Sequence, residues 1–292
     1  MGYVYLLLQA LIFSFGGLMI KFSGTMFSPI LISFLRFTLG IALLLVIQKI
    51  RQGKLHLTLG SAVICLGGIC KAVHYLGENY GVMRGFSYGG VLVWPVQTIV
   101  VFLASVFLLH ERVRLRTVLG TVCCMLGIGL ISWNGAPPEV FAGTGLVTLI
   151  AFAFAGTGAA VFSLSQKKLV ASMELVEMNT SMFIYGWLVC LLVLIPTGSH
   201  TRGPANLPAI LSVLLLGAIT CVGFLLQGAA LRTVPVLAAT IIQSSTVILT
   251  ILWGVLFYGD PLTGYVICGT VLFLTGILMV NLKPRNPGKS EG

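Results

Sequence analysis

Residues 120–128 read GTVCCMLGI, and 149 positions further on residues 269–277 read GTVLFLTGI. The register holds without a gap: Leu76 falls on Leu225, Gly68 on Gly217, Val106 on Val255 and Glu111 on Asp260. The displacement is about half of the 292-residue chain, as an internal duplication requires. The stretch from Gly67 to Ile131 is therefore expected twice, once in each half.

Composition says what surrounds this duplicated unit. The chain is 58% hydrophobic and only 8% charged, against roughly 25% charged residues in soluble domains. So few polar groups cannot cover a globule in water, so the solvent is mainly lipid. The apolar runs are continuous rather than alternating, which points to helices and excludes a transmembrane barrel. A net charge of +10 would fit nucleic acid, but the basic residues sit in short clusters between apolar runs, as in cytoplasmic loops. The seven cysteines all lie within apolar runs, without a C-x-x-C pair or a histidine at ligand spacing. Neither a metal nor any other cofactor is expected.

Ten apolar segments have about the 20 residues that a spanning helix needs: 3–23, 29–48, 59–83, 87–109, 115–133, 144–164, 177–196, 207–231, 236–258 and 264–282. The first lacks a basic leader and ends at Lys21, so it is expected to be a span rather than a cleaved signal. With the N-terminus in the cytoplasm, the inner loops hold Lys49, Arg51 and Lys54; Arg112, Arg114 and Arg116; Lys167 and Lys168; Arg232; and Lys283, Arg285 and Lys289. These are twelve of the 17 basic residues, while the outer connections hold only Arg84 and Arg202. Both termini are therefore expected in the cytoplasm of a multi-pass plasma or inner membrane protein.

Five spans per repeat is an odd number, so the second repeat enters the bilayer from the opposite side. The fold class is an all-α membrane protein of ten transmembrane helices in two inverted-topology repeats of five. The expected units are 1–135, an external linker 136–143, a second repeat 144–283, and a polar cytoplasmic tail 284–292.

Several residues carry a family likeness: Arg36-Phe37 in the second segment, Pro95 in the fourth, Glu111-Arg112 at its end, and Gly120 and Gly127 in the fifth. The second half repeats the last part as Asp260, Gly269 and Gly276. On these the chain resembles the EamA-type members of the drug/metabolite transporter superfamily over essentially its whole length. It departs from the family at Phe15-Gly16-Gly17, where a Trp-Gly pair is frequent, and at Ser244, where a proline would echo Pro95. The resemblance implies a ten-helix inverted-repeat carrier of small metabolites, often an exporter.

Charges within spans cost ~2.5–3.5 kcal/mol each at a helix centre, so each needs a reason. Lys71, His74 and Glu78 are three and four residues apart and share one helical face. Lys71 falls near mid-membrane, and Arg36 falls at about the depth of His74 and Glu78. These four are expected to line a polar pocket for an anionic or zwitterionic group, with protons as a coupling ion. The alternative is that Arg36 and Glu78 pair to lock two helices while Lys21 reaches the interface. The repeat maps Lys71, His74 and Glu78 onto neutral Thr220, Gly223 and Gln227, so only one half carries the charge.

Trp94, Pro95 and Gln97 place an aromatic, a kink and an amide at mid-depth, as a cavity wall would need. Their echo includes Gln243, for Trp94, and Thr246, for Gln97. Gln9, Gln227 and Trp253 are further candidates. The candidate binding set is Arg36, Lys71, His74, Glu78, Trp94, Gln97 and Gln243, with no catalytic residue and no metal ligand.

A secondary transporter by alternating access, moving an amino acid or related zwitterionic or anionic solute, outward as the family resemblance implies, accounts for these features best. No Walker-type loop supplies an ATP site. Two other classes stay open: a channel or receptor-like membrane protein without a transport cycle, and an intramembrane enzyme. The first would show a single-channel conductance step. The second would need clustered acids or a nucleophile elbow, and the acids here are scattered.

Overall fold

The computed structural model describes residues 1–84, 93–107, 115–133, 135, 144–197, 201–258 and 263–281. In the first half these form α1 (Gly2–Ser14), α2 (Gly16–Ser23), α3 (Pro29–Gln52), α4 (Ala62–Arg84), α5 (Val93–Phe107) and α6 (Leu115–Trp133). In the second they form α7 (Thr144–Leu169), α8 (Leu175–Thr197), α9 (Leu207–Leu231), α10 (Val236–Gln243), α11 (Thr246–Tyr258) and α12 (Gly264–Asn281). Among the described residues there is no strand, only an isolated bridge between Phe27 and Thr201. Glu111, Asp260, the linker 136–143 and the tail 284–292 lie outside the described residues.

Local chemistry explains where the helices begin and end. Ser28 caps α3 by accepting a hydrogen bond from the Leu31 amide at 3.2 Å, with Pro29 in the first turn. Gly53, at φ +69°, closes the same helix in the left-handed region. Glu174 caps α8 by accepting from the Val176 and Glu177 amides, and Asn206 caps α9 by accepting from Ala209. The first and ninth apolar segments are each broken in two. Ser14 Oγ donates back to the Leu11 carbonyl beside the first break, and Ser244 Oγ to the Thr240 carbonyl at the second. Such back-bonds compete with the helical ladder and bend it. Ser244 is the position that the repeat aligns with Pro95, so a serine pair breaks the second copy where the first carries a proline.

Several boundaries differ from the sequence expectation, with α3 running on to Gln52 and α7 to Leu169. The third span begins at Ala62 rather than at position 59, because residues 53–61 run non-helically across α8. There the Thr58 amide donates to Ser181 Oγ at 3.0 Å, its hydroxyl donates to Glu177 at 2.6 Å, and the Tyr185 hydroxyl donates to the Leu59 carbonyl.

The two halves pack onto one another at equivalent positions. α6 and α12, copies of one another, cross through their glycines. A Cβ on Gly127 would lie 2.6 Å from the Gly269 carbonyl oxygen, and one on Gly276 would lie 2.5 Å from that of Gly120. The contact is reciprocal, as a two-fold relation generates. On that relation Cys124 Sγ reaches the carbonyl of its own equivalent, Phe273, at 3.6 Å. Thr38 likewise accepts a hydrogen bond at 3.0 Å from the indole of its equivalent, Trp187, where α3 meets α8.

The outer surface is apolar: Leu7, Leu126, Leu192, Val271 and Leu278 are among many exposed large side chains. A continuous apolar exterior is stable in lipid and not in water. Among the described residues, six segments are long and apolar enough to cross a membrane, from Gly2–Ser23 through Val236–Phe257, with three shorter apolar helices beside them. The chain is thus a multi-pass membrane protein. α4 is as long as the six, but Lys71, His74, Glu78 and Asn79 lower its hydropathy.

Candidate functional site

α4 packs against α3, α7 and α8, and its polar face reaches Arg36 of α3, Ala155 of α7 and Thr220 of α9. Small residues make the meeting close: a Cβ on Gly156 would lie 2.6 Å from Val96 of α5, and one on Gly158 would strike the Cys70 carbonyl of α4. A cavity remains between the helices. Arg36, Lys71, His74, Glu78, Trp94, Gln97 and Gln243, the seven candidates from sequence, all line it. Its volume is about 60 Å³, room for only a few waters at roughly 10–15 Å³ each.

Arg36 and Glu78 form an ion pair, Nη1 to Oε2 at 3.0 Å. The same nitrogen donates to Asn79 Oδ1 at 3.2 Å, and Asn79 donates in turn to Ser33 Oγ at 2.8 Å. Arg36 Nε is buried and has no hydrogen-bond partner among the described residues, and the guanidinium lies 3.7 Å from the centroid of the Tyr75 ring. His74 lies beside this pair. Its Nδ1–H donates to the Ala155 carbonyl at 3.0 Å. Its Nε2 stands 3.7 Å from Glu78 Oε2, beyond hydrogen-bonding distance.

Lys71 is held differently. It is 1% exposed, and among the described residues its ammonium has no hydrogen bond and no ion pair within 4 Å. Instead it faces three rings: Phe224 at 3.8 Å, Tyr75 at 4.3 Å and Phe162 at 5.0 Å from the centroids. A desolvated cation gains about 2 kcal/mol from a ring face. The rings therefore hold the charge in place while leaving its N–H donors unused. Tyr75 and Phe224 are equivalent in the repeat, as are Phe162 and Phe13, another lining residue. The aromatic box is thus drawn from both halves, and the lysine is the element that breaks its symmetry. Tyr75 also hydrogen-bonds Thr220, the residue that replaces Lys71 in the second copy, at 3.0 Å.

Opposite the charges, a chain of amides crosses the bundle. Gln243 Nε2 donates to Gln9 Oε1 at 2.8 Å, and Gln9 Nε2 donates to Gln227 Oε1 at 2.9 Å. Gln227 and Gln97 then both donate to Ser163 Oγ, at 2.9 and 3.3 Å. These side chains are almost fully buried, and the chain ties α10, α1, α9, α7 and α5 together. A satisfied network of this kind is rigid in a low-dielectric interior.

Sequence reasoning missed the box, Ser163 and Asn79. The repeat register contains a signal for the box, since Tyr75 lies one turn after Lys71 and maps onto Phe224. Trp253, a candidate from sequence, is not among the lining residues. Its indole donates to Ser14 Oγ at 2.8 Å and its ring stacks on Phe15 at 4.8 Å, so it secures the break between α1 and α2. The Pro95 side chain lies outside the described residues.

No curated protein matches this chain. A solved structure described as "Crystal structure of protein" superposes with a TM-score of 0.79 over 96% of this chain and 98% of its own, at 18% identity, which speaks for the fold alone. With one copy of the family model on residues 1–133 and a second on residues 145–282, the chain belongs to the EamA-like transporter family, membrane carriers of small solutes.

Proposed function

We propose that the protein is a secondary transporter that moves a small zwitterionic or anionic solute, an amino acid or a related metabolite, outward across the plasma or inner membrane by alternating access. The observation that carries this is Lys71: a buried cation inside a central cavity built by both repeats, with its hydrogen-bonding capacity unspent. Such a group binds an acidic moiety at the bilayer midplane, where carriers of inverted-repeat design place their site. Trp94, Gln97 and Gln243 hold the rest of the solute. The Arg36–Glu78 pair with His74 forms the polar wall beside it, where protons couple to the cycle through Glu78.

The units 1–135 and 144–283 are two five-span repeats of opposite orientation, with both termini and the tail 284–292 in the cytoplasm and the linker 136–143 outside. The split pairs α1–α2 and α10–α11 each count as one crossing. The reciprocal glycine contact between α6 and α12 supports that symmetry.

Two experiments test this. A metabolite panel is screened for exchange across proteoliposomes. Saturable counterflow of at least one acidic or zwitterionic solute is expected, and conductance steps without exchange would replace a carrier by a channel. Reporters fused after Asn134 and after Lys168 should read external and internal respectively. Reversal of both overturns the topology.

A further inference from the structure

We infer that the solute is a net monoanion, an amphipathic monocarboxylate rather than a zwitterion, because the cavity carries one uncompensated positive charge. The inference rests on the transport function proposed above and narrows its substrate class. Among the described residues that line the cavity there are two cations, Arg36 and Lys71, one acid, Glu78, and one imidazole, His74. Glu78 is spent on Arg36 at 3.0 Å. One ring proton, on Nδ1, accounts for the hydrogen bond of His74. Lys71 is left over: it is 1% exposed, its ammonium lies against the rings of Tyr75 and Phe224, and Glu78, which attracts it, is already paired with Arg36.

A carboxylate brought to Lys71 neutralises the site and accepts the N–H groups that the rings leave unused. A zwitterion brings a second cation with the carboxylate. Its ammonium needs an acceptor, and the one carboxylate of the lining is already paired. The bound site would then remain positive in a low-dielectric interior. In polarity the remaining walls match the tail of an organic acid, for which the cavity of about 60 Å³ must widen: Phe13, Ile219 and Val82 are apolar, and Gln97 and Gln243 offer amides to a keto or hydroxyl oxygen.

The experiment uses four probes of one carbon skeleton on the full-length protein: 4-methylpentanoate, 4-methyl-2-oxopentanoate, 4-methylpentanamide and leucine. Thermal stabilisation in detergent and counterflow in proteoliposomes are read for each. The two acids should bind at least roughly tenfold more tightly than the amide and leucine. Lys71→Arg should keep that preference, and Lys71→Gln should erase it or favour the amide, with unfolding curves confirming that each variant is folded.

Leucine or the amide binding as tightly as the acids, or an acid preference that survives in Lys71→Gln, overturns the monoanion class. So does a folded protein that exchanges none of the four. The transport function itself falls only if the wider metabolite panel also gives no exchange, so the two failures are separable.

Discussion

Tyr75 and Phe224, equivalent residues 149 positions apart, face the same ammonium, that of Lys71, at 4.3 and 3.8 Å. A two-fold arrangement of rings thus encloses a charge that only one repeat supplies. If the rings merely tolerate the lysine, its removal relieves the protein. Lys71→Met keeps the length of the side chain and removes a charge that forms no ion pair within 4 Å among the described residues. The variant should unfold at a temperature equal to or above that of the parent, since replacing buried ionic groups by apolar ones of similar volume is neutral or stabilising by about 1–4 kcal/mol. It should also lose the stabilisation that acidic solutes confer. A large drop in stability would make Lys71 a structural residue instead.

Arg36 and Glu78 behave in the opposite way, because each neutralises the other. Arg36→Met should destabilise by about 3–5 kcal/mol, as removal of one partner of a buried pair does. The effect of Glu78→Gln should be smaller, because the amide still accepts from Arg36 and the Glu78 side chain is 20% exposed. The double variant Arg36→Met with Glu78→Met should recover most of the loss. Additive losses in the unfolding free energies would show that the two side chains act independently.

The crossing of α6 and α12 leaves no room for a side chain. In Gly127→Val the new Cβ meets both the Gly269 carbonyl oxygen and the Phe273 backbone nitrogen at 2.6 Å. Both are backbone atoms that cannot swing aside, so a loss of about 1–3 kcal/mol is expected. Gly264→Ala, where a Cβ meets nothing within 4 Å, is the control and should be neutral. Thermal unfolding of the two variants side by side checks the contrast.

Gly16 is buried and lines the cavity, yet a Cβ built on it meets nothing within 4 Å. It therefore borders the space a solute would fill. Gly16→Leu should leave the fold intact and reduce exchange of the solute at least roughly tenfold by occupying that space. Gly16→Ala should be mild. Normal exchange in a folded Gly16→Leu protein would place the solute path elsewhere.

The sequence by itself determined the membrane class, the duplication and the polar face of α4. Each follows from local chemistry or from counting: 8% charge cannot clothe a globule in water, a fixed shift exposes a repeat, and helical geometry aligns residues three and four apart. The same periodicity brought Lys71, His74 and Glu78 onto one face. It left open whether Arg36 and Glu78 pair or both await a solute, because a pair between α3 and α4 depends on how two helices turn toward one another. Only the tertiary structure joined them at 3.0 Å and left Lys71 among rings from three helices. It alone threaded Gln243, Gln9, Gln227 and Ser163 into one chain, from positions as far apart as 234 residues. The physical reason is the same throughout. Hydropathy and helical period are properties of a segment. The partner of a buried charge is chosen by packing between segments, where a glycine contact or a serine-induced break sets distances to fractions of an ångström.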